Sequence, residues 1–393
     1  MRELLICGTS TRAAAESAAR AGFAVTAIDA FADRDQHAAV RALSVGRDVN
    51  AATTAAAIAR AARDIACEAV VYLSPFENHP RAVATLAAGR VLLGNAPETL
   101  RRVRDPFVLA GVLKTHGVAV PCLLNDPNDP NDPNDSNDPN DSRWLCKPFR
   151  SGGGTRIREW RGGPLPRGSY LQERIDGTPG SIVFAAARGG CVPIGFSRQL
   201  VGDPNFGATG FRYCGSIMAP PGDRQFADGT AIFEAAAAIA RCVSSSFGLV
   251  GLNGIDFIAR GRVVYPLEVN PRWSSSIEVA ERAFAMTLFP AHAAACSGLL
   301  PAFDCIAALE RSDVAGKAIV YARHAVSVGD TSSWLEDSSV RDVPRSGEHF
   351  RPGQPVCSIF ATAPDGAACY RLLVSRAARM YTELEARVPA TAG

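Results

Sequence analysis

Apolar and polar positions follow two regimes along the chain. In the first, short apolar runs alternate with Ala-rich stretches of helical length. Leu4-Leu-Ile-Cys-Gly-Thr-Ser10 reads as a buried strand ending in a turn, Thr11 to Ala21 as a helix, and Phe23 to Asp29 as a second strand ending in an acid. Ala51 to Ile65 then reads as a helix and Ala69-Val-Val-Tyr-Leu73 as a third strand. This alternation predicts a small doubly wound parallel sheet over residues 1–98. The first turn lacks the G-x-G-x-x-G spacing of a dinucleotide fold, so Asp29 has no glycine turn beside it to make it a ribose ligand. Ser74 to His79 follows the third strand, where open α/β sheets bind ligands, which makes Glu77 and His79 candidates for a substrate site, with plain solvation of a loop as the competing reading.

The second regime begins after a partly helical stretch, Pro97 to His116, in which Pro106 suits a helix start. Trp144 to Phe149 reads as a strand carrying Lys147 and leads into Ser151-Gly152-Gly153-Gly154. Ser169 to Gly177, Ser181 to Ala187 and Cys191 to Gln199 read as strands of an antiparallel sheet, and Thr230 to Phe247 as a helix. Gly251 to Arg272 reads as a β-hairpin about a loop at Arg260 to Arg262. Strand periodicity puts Glu268 and Asn270 on one face, and Asp256 joins them if the loop is odd-numbered or a bulge intervenes. The opposite face then holds Ile255, Phe257, Val263, Tyr265, Leu267 and Val269. The last part, 304–393, reads as a small β-rich cap with strands near Lys317 to His324 and Gly353 to Phe360 and a final helix from Ala367 to Ala386; it either completes a sheet or builds a dimer face.

Composition narrows the classes. At 393 residues the chain holds two or three domains, and 47% apolar residues is ordinary for a globular protein. A net charge of +2 gives no electrostatic case for nucleic acid or an acidic membrane. The absence of a long apolar run argues against a transmembrane helix, and the acidic N-terminus against a signal peptide. Eleven cysteines without a Cys-x-x-Cys pair suggest reduced thiols and a cytoplasmic setting. Residues 125–141 form an Asn-Asp-Pro repeat with no apolar residue, expected to be a passive, disordered loop.

The chemistry concentrates in three places. Asp256, Glu268 and Asn270 crowd two carboxylates and an amide, an arrangement that a hard cation relieves; Mg²⁺ takes one or two carboxylates and completes its shell with phosphates and water. The competing reading is a surface hairpin with solvated carboxylates. The glycines at 152–154 let backbone N–H groups approach phosphate, although Lys147 precedes them and the run is no Walker A loop. Six histidines lie far apart, and His292 reads as a packed helical residue.

In order, Lys147-Pro148, Ser151 to Gly154, Gln172-Glu173-x-Ile175-x-Gly177, Asp256 and Glu268-Val-Asn-Pro-Arg272 resemble the ATP-grasp superfamily of carboxylate ligases over residues 99–303. Phe211 to Ile217 and Gly316 to Arg323 look like a branch of predicted ATP-dependent carboligases related to biotin carboxylase, some tied to methanofuran- and tetrahydromethanopterin-dependent one-carbon metabolism. The resemblance implies an α/β, α+β ATP-grasp fold and an ADP-forming ligase using ATP and one or two Mg²⁺, with small-molecule carboxylate and amine substrates; a homodimer stays open through the cap. Alternatives are a carboligase using carboxyphosphate and a non-catalytic nucleotide-binding protein. By the same resemblance Lys147 holds a phosphate, Ser151 and Gly152 to Gly154 close over it, and Gln172, Glu173 and Ile175 form the adenine hinge. Asp256, Glu268 and Asn270 are the metal ligands, and Arg272 holds the transferred phosphoryl group or the substrate carboxylate. Two positions depart from the pattern: Pro106 stands where a second ATP lysine is usual, leaving Arg104 or Lys114 as substitutes, and Thr178 to Gly180 stands where a ribose-binding acid is usual, leaving Asp176.

Overall fold

The computed structural model describes residues 3–126 and 144–385; the repeat lies outside them from residue 127 onward. The first strands are β1 (Glu3–Cys7), β2 (Ala24–Asp29), β3 (Val40–Ser44), β4 (Ala69–Tyr72) and β5 (Val91–Leu92), interleaved with helices α1 (Arg12–Arg20), α2 (Ala55–Ala61) and α3 (Pro80–Ala87). They form the expected parallel sheet in the order β3-β2-β1-β4-β5, with helices on both faces. Its strands are buried on both sides, which is why they read as continuous apolar runs. The short β3 is half polar and carries no such signal in the pattern.

Helices α4 (Pro97–Val103) and α5 (Pro106–Thr115) lead out of this sheet. Pro106 opens α5, and the Asp105 carboxylate caps it by accepting from the N–H groups of Phe107 and Val108. A small antiparallel sheet follows: β6 (Leu123–Leu124), β7 (Trp144–Pro148), β8 (Arg158–Glu159) and β9 (Ser169–Glu173), in the order β6-β9-β7-β8.

The largest layer is an eight-stranded antiparallel sheet. Its strands β10 (Thr178–Ala187), β11 (Gly190–Val201), β12 (Tyr213–Met218), β13 (Gly251–Arg260) and β14 (Val263–Asn270) come from the middle of the chain. Helix α6 (Gly229–Phe247) is capped by Asp228 and ends on Gly248 in the left-handed region. Its face bearing Ile232, Phe233 and Ala236 is buried in a core shared with Phe196, Phe226 and Phe257 beneath the hairpin. Helices α7 (Ser275–Phe284) and α8 (Phe289–Cys296) then pack between this sheet and α1. Core residues of the two sheets form one cluster, joining Leu4, Ile6 and Val25 to Phe184, Trp273 and Phe289, so the N-terminal layer is fixed against the hairpin layer.

The remaining elements are α9 (Cys305–Arg311), β15 (Val314–Tyr321), β16 (Val326–Ser327), α10 (Ser332–Glu336), β17 (Val340–Arg341), β18 (His349–Phe350), β19 (Pro355–Ala363) and α11 (Gly366–Glu385). Strands β15, β19 and β17 continue the large sheet in the order β14-β13-β10-β11-β12-β15-β19-β17. The region thus completes a sheet, one of the two roles the pattern left open. Helix α11 covers it, with Leu373, Ala377 and Met380 buried in a second core.

Candidate active site

The hairpin reaches its polar face by a bulge and not by an odd loop. Arg260 pairs with Val263, leaving a two-residue turn, Gly261-Arg262. The register shifts between Asp256 and Phe257, so that Asp256 faces Glu268 and Phe257 faces Pro266. Leu267 is the extra residue, and it lines the cleft beside Glu268 instead of the apolar underside. The shift also moves Val263 and Tyr265 to the Asp256 side: Val263 is exposed, and Val264 takes the buried position with Ile255, Phe257 and Val269. Gly180 makes room for this underside, since a Cβ there would lie 2.4 Å from the Phe257 ring.

Asp256 and Glu268 therefore stand opposite one another on neighbouring strands. Gln199 of β11 donates to Asp256 Oδ1 at 2.8 Å, and the Asn270 amide donates to Oδ2 at 2.8 Å. Burial first, and then the Glu268 charge, push the Asp256 carboxyl up to about 6. Glu268 is also lifted by burial, but Arg104 and Lys147 outweigh that and hold it below the usual carboxylate range. Arg104 donates to Glu268 Oε2 at 3.0 Å and to the Val269 carbonyl at 2.8 Å. Its remaining N–H groups go to Asn78 Oδ1 and the Ser151 carbonyl. Of the two residues that could stand in for the missing lysine, Arg104 is in the cluster, and Lys114 is exposed in the last turn of α5.

Lys147 points inward from β7 and is buried. Tyr170 is its register partner and Gln172 its diagonal neighbour, and Nζ donates to Gln172 Oε1 at 2.8 Å. Burial lowers its pKa, with Glu268 only partly opposing that. The glycine run leaves β7 and folds over the cleft. Tyr213 N–H donates to the Gly153 carbonyl, and Gly154 sits at φ +72° so close to β12 that a Cβ would meet the Phe211 carbonyl oxygen at 1.8 Å. Only glycine fits there. Glu173 is tied to Cys122 in both directions, by its own N–H and by its carboxylate. Ile175 is buried, whereas the Asp176 side chain is 87% exposed beside Arg174. Leu145, Ile157, Ile175, Ile258 and Leu267 make an apolar slot next to this polar cluster.

Arg272 leaves the end of β14. It donates to Asn270 Oδ1 at 3.1 Å and lies 2.8 Å from Glu77 Oε1. Glu77 is thus a buried counter-ion of Arg272, not a solvated loop acid. The hairpin end is held from below: Tyr72 and Asn95 both donate to the Pro271 carbonyl. His79 lines the cleft, its pKa lowered by burial and by Arg150. His292 is a packed residue as expected: Leu252 N–H donates to its Nδ1, and burial pushes its pKa down to about 4. Asp29 is a turn residue, accepting from Thr11, Phe31 and Ala32. Arg198 stacks on Tyr370 and Arg212 on Tyr321, and it is their neighbours Gln199 and Phe211 that line the cleft.

One cavity of about 920 Å³ joins Lys147, the glycine run, Gln172 to Asp176, Asp256, Glu268, Asn270 and Arg272. Among the described residues no three His, Cys, Asp or Glu gather as a metal site. A cation at the hairpin would rest on Asp256, Glu268 and oxygens brought by a ligand, which suits Mg²⁺ on phosphates. The facing carboxylates and the raised Asp256 pKa fit that use. Asn270 Oδ1 is turned to Arg272 and would have to rotate to ligate.

Residues 103–276 match the family profile of the ATP-grasp domain. No curated protein matches the sequence. Among solved structures, pyruvate carboxylase from Rhizobium etli superposes with a TM-score of 0.72 at 14% identity, over 99% of this chain and 39% of that one. The L-amino acid ligase from Bacillus licheniformis gives 0.68 at 14%, covering 96% of this chain and 97% of that one. The biotin carboxylase domain of 2-oxoglutarate carboxylase from Hydrogenobacter thermophilus, solved with MgADP, ADP and bicarbonate, gives 0.68 at 14%, over 98% and 89%. At such identity these likenesses speak for the fold alone. Residues 103–276, which carry Lys147, Glu173, Asp256 and Glu268, thus match the ATP-grasp domain, and the chain shares its overall fold with these carboxylase and ligase structures.

Proposed function

We propose that the chain is an ATP- and Mg-dependent ligase that joins a carboxylate to an amine through an acyl phosphate and releases ADP and phosphate. The observation that carries this is the single cavity in which facing carboxylates, Lys147, Arg272 and a glycine run adjoin an apolar slot. The slot between Leu145 and Leu267 takes the adenine against the backbone from Glu173 to Ile175, with Asp176 nearest the ribose. Lys147 and Arg272 offset charge on the phosphates, while Ser151 and Gly152 to Gly154 cover them and exclude water. Asp256 and Glu268, with Asn270 once its amide turns, hold one or two Mg²⁺, which supply charge neutralisation at the phosphate oxygens.

In the reaction a substrate carboxylate oxygen attacks the γ-phosphorus as the bond to the β-phosphate oxygen breaks, leaving ADP. The amine nitrogen then bonds to the acyl carbon, the carbon–oxygen bond to phosphate breaks, and the amine's proton leaves to solvent or phosphate. No nucleophilic side chain of the protein is required. Oxygen-18 in the acid should appear in the released phosphate, with ADP as the other product; AMP and pyrophosphate, or unlabelled phosphate, would sink the reading. A carboxylase reading, with bicarbonate as the acid, is favoured by the fold shared with a domain solved with bicarbonate. ADP release on bicarbonate alone separates the two. The resemblance at Phe211 to Ile217 and Gly316 to Arg323 suggests one-carbon cofactor assembly as the setting. The eleven cysteines, none of them in a disulfide, suit a reducing compartment such as the cytoplasm. No described helix is long and apolar enough to cross a membrane.

A further inference from the structure

The cavity runs on past Arg272. Its volume of about 920 Å³ is at the top of the ~300–1,000 Å³ range usual for one small ligand, and the charge of its walls changes along it. The hairpin end presents five cations, Lys147, Arg150, Arg156, Arg174 and Arg272, along with its carboxylates. The far end, between the N-terminal sheet and β17 to β19, presents Asp33, Glu278, Asp342 and Glu348 against Lys317 alone.

Three of those acids have partners. Glu278 and Asp342 share Arg12 and Lys317, and Glu348 accepts from the Arg345 N–H. Asp33 does not. It is 8% exposed, its Oδ2 has no hydrogen-bond partner, and no ion pair joins it to a described cation. The other carboxylates of the same loop show the contrast. Asp29 accepts bonds from Thr11, Phe31 and Ala32, and Asp35 accepts from the N–H groups of Asp342 and Val343. A carboxylate taken from water without a donor is unfavourable unless something else supplies the charge. Burial and the nearby Asp342 hold the Asp33 carboxyl well above its usual range, with Arg12 only partly offsetting them. Between Arg272 and this end the cavity passes Ser274, whose buried hydroxyl also lacks a partner.

We propose that the far end of the cavity binds a protonated amino group with Asp33 as its counter-ion. Resting on the ligase reading, this makes one substrate an amino acid or a diamine. The bound ammonium is a recognition group, not the nucleophile. From Ser274 to Glu278 is one turn of α7, roughly 6 Å of rise. The charges that act most on Asp33 are those of Asp342, Asp29, Asp35 and Arg12, which belong to the far end of the cavity. With the ammonium held at that end and Arg272 at the hairpin, the proposal puts the reacting atom at the other end of the same molecule.

The test uses the full chain without nucleotide, so that it does not depend on turnover. Binding is measured by calorimetry and thermal shift for L-alanine, 4-aminobutyrate, 6-aminohexanoate and 1,4-diaminobutane, each against its amine-free counterpart: propionate, butyrate, hexanoate and 1-butanol. At least one amine should bind tenfold or more tightly than its counterpart, and Asp33→Asn should remove that preference. Equal binding of a pair's members throughout, no binding of any amine, or an unchanged preference in Asp33→Asn would each overturn the proposal. The matched pairs on the unaltered protein decide even if the variant does not fold. Amine binding together with a failure to release ADP from Mg-ATP would count against the ligase reading and leave the ammonium site standing.

Discussion

Two clusters of buried charge lie on opposite sides of one cavity, and they are finished differently. In the first, Arg12 is 1% exposed and meets Glu16 at 3.0 Å, Asp342 at 2.7 Å and Glu278, while Lys317 meets Glu278 at 2.7 Å. Each cation there answers a carboxylate, and both Glu278 and Asp342 are held below the usual carboxylate range against the lift of burial. In the second, Asp256 faces Glu268, Lys147 has only a neutral amide as its bonded partner, and the Asp256 carboxyl rises to about 6. The first cluster joins α1, α7, β15 and the turn after β17, and closes on itself. The second keeps both a buried cation and a carboxylate pair short of full compensation, which the charges of a bound Mg-nucleotide would provide. Cohesion and binding are thus separable by the state of the carboxylates.

The largest effect should come from breaking the closed cluster. Arg12→Ala leaves the buried Glu278 and Asp342 with Lys317 as their one shared cation, and removal of one partner from a buried pair typically costs about 3–5 kcal/mol. A urea unfolding curve should show that loss; a shift under about 1 kcal/mol would mean that the cluster is solvated and the contrast is wrong. The open cluster should behave in reverse. Lys147→Met removes a buried ammonium without stranding an acid on it, so stability should hold while turnover falls by roughly 10²–10³. Arg272 stands between the two classes, because it also covers Glu77. Arg272→Ala should lose both activity and stability, and adding Glu77→Gln should restore stability only. If the double variant regains turnover, Arg272 is a structural counter-ion and no part of the reaction.

A smaller effect is expected on binding. A cation at the hairpin needs Asp256 ionised, and nucleotide-free Asp256 titrates near 6, whereas Glu268 stays ionised well below that. Mg-nucleotide affinity should therefore be level above about pH 7 and weaken on acidification, approaching tenfold per pH unit once Asp256 is protonated. Calorimetry at pH 5 and pH 7.5 checks this. A flat profile would show that the cation does not rest on Asp256.

How legible this was in the sequence depends on where each partner comes from. The parallel sheet, the strand bearing Lys147 and the hairpin were readable because their signals are local: apolar periodicity, glycine spacing and a turn. The bulge at Leu267 was not, because an even loop with a bulge and an odd loop place Asp256 alike, and only pairing distinguishes them. Glu77 reads as a loop acid and Arg104 as one of two stand-ins for a phosphate lysine; their buried partners, Arg272 and Glu268, are 195 and 164 positions away. The Arg12 cluster left no signal at all. Arg12 opens an Ala-rich helix, where a charge ordinarily faces water, and its partners lie at 278 and 342. Long-range ion pairing is what the pattern of a single chain conceals.

The last effect tests the comparison most sharply, since it asks whether Asp256 contributes to the fold at all. Its folded pKa of about 6 lies above the ~3.9 of an unfolded aspartate. Between those values the folded chain holds a proton that the unfolded chain has released. Stability must then fall as pH rises through that window and level off above it. Asp256→Asn keeps the shape and removes the titration. The Gln199 and Asn270 amides that donate to Asp256 can each turn to meet an amide in its place. Without nucleotide the variant should match the parent near pH 4 and exceed it at pH 7.5 by about 2–3 kcal/mol. It should lose Mg-nucleotide affinity at the same time. Were Asp256→Asn less stable at pH 7.5, Asp256 would belong with Glu278 and Asp342 as a group the fold depends on, and the hairpin carboxylates would no longer be a site kept open for a ligand.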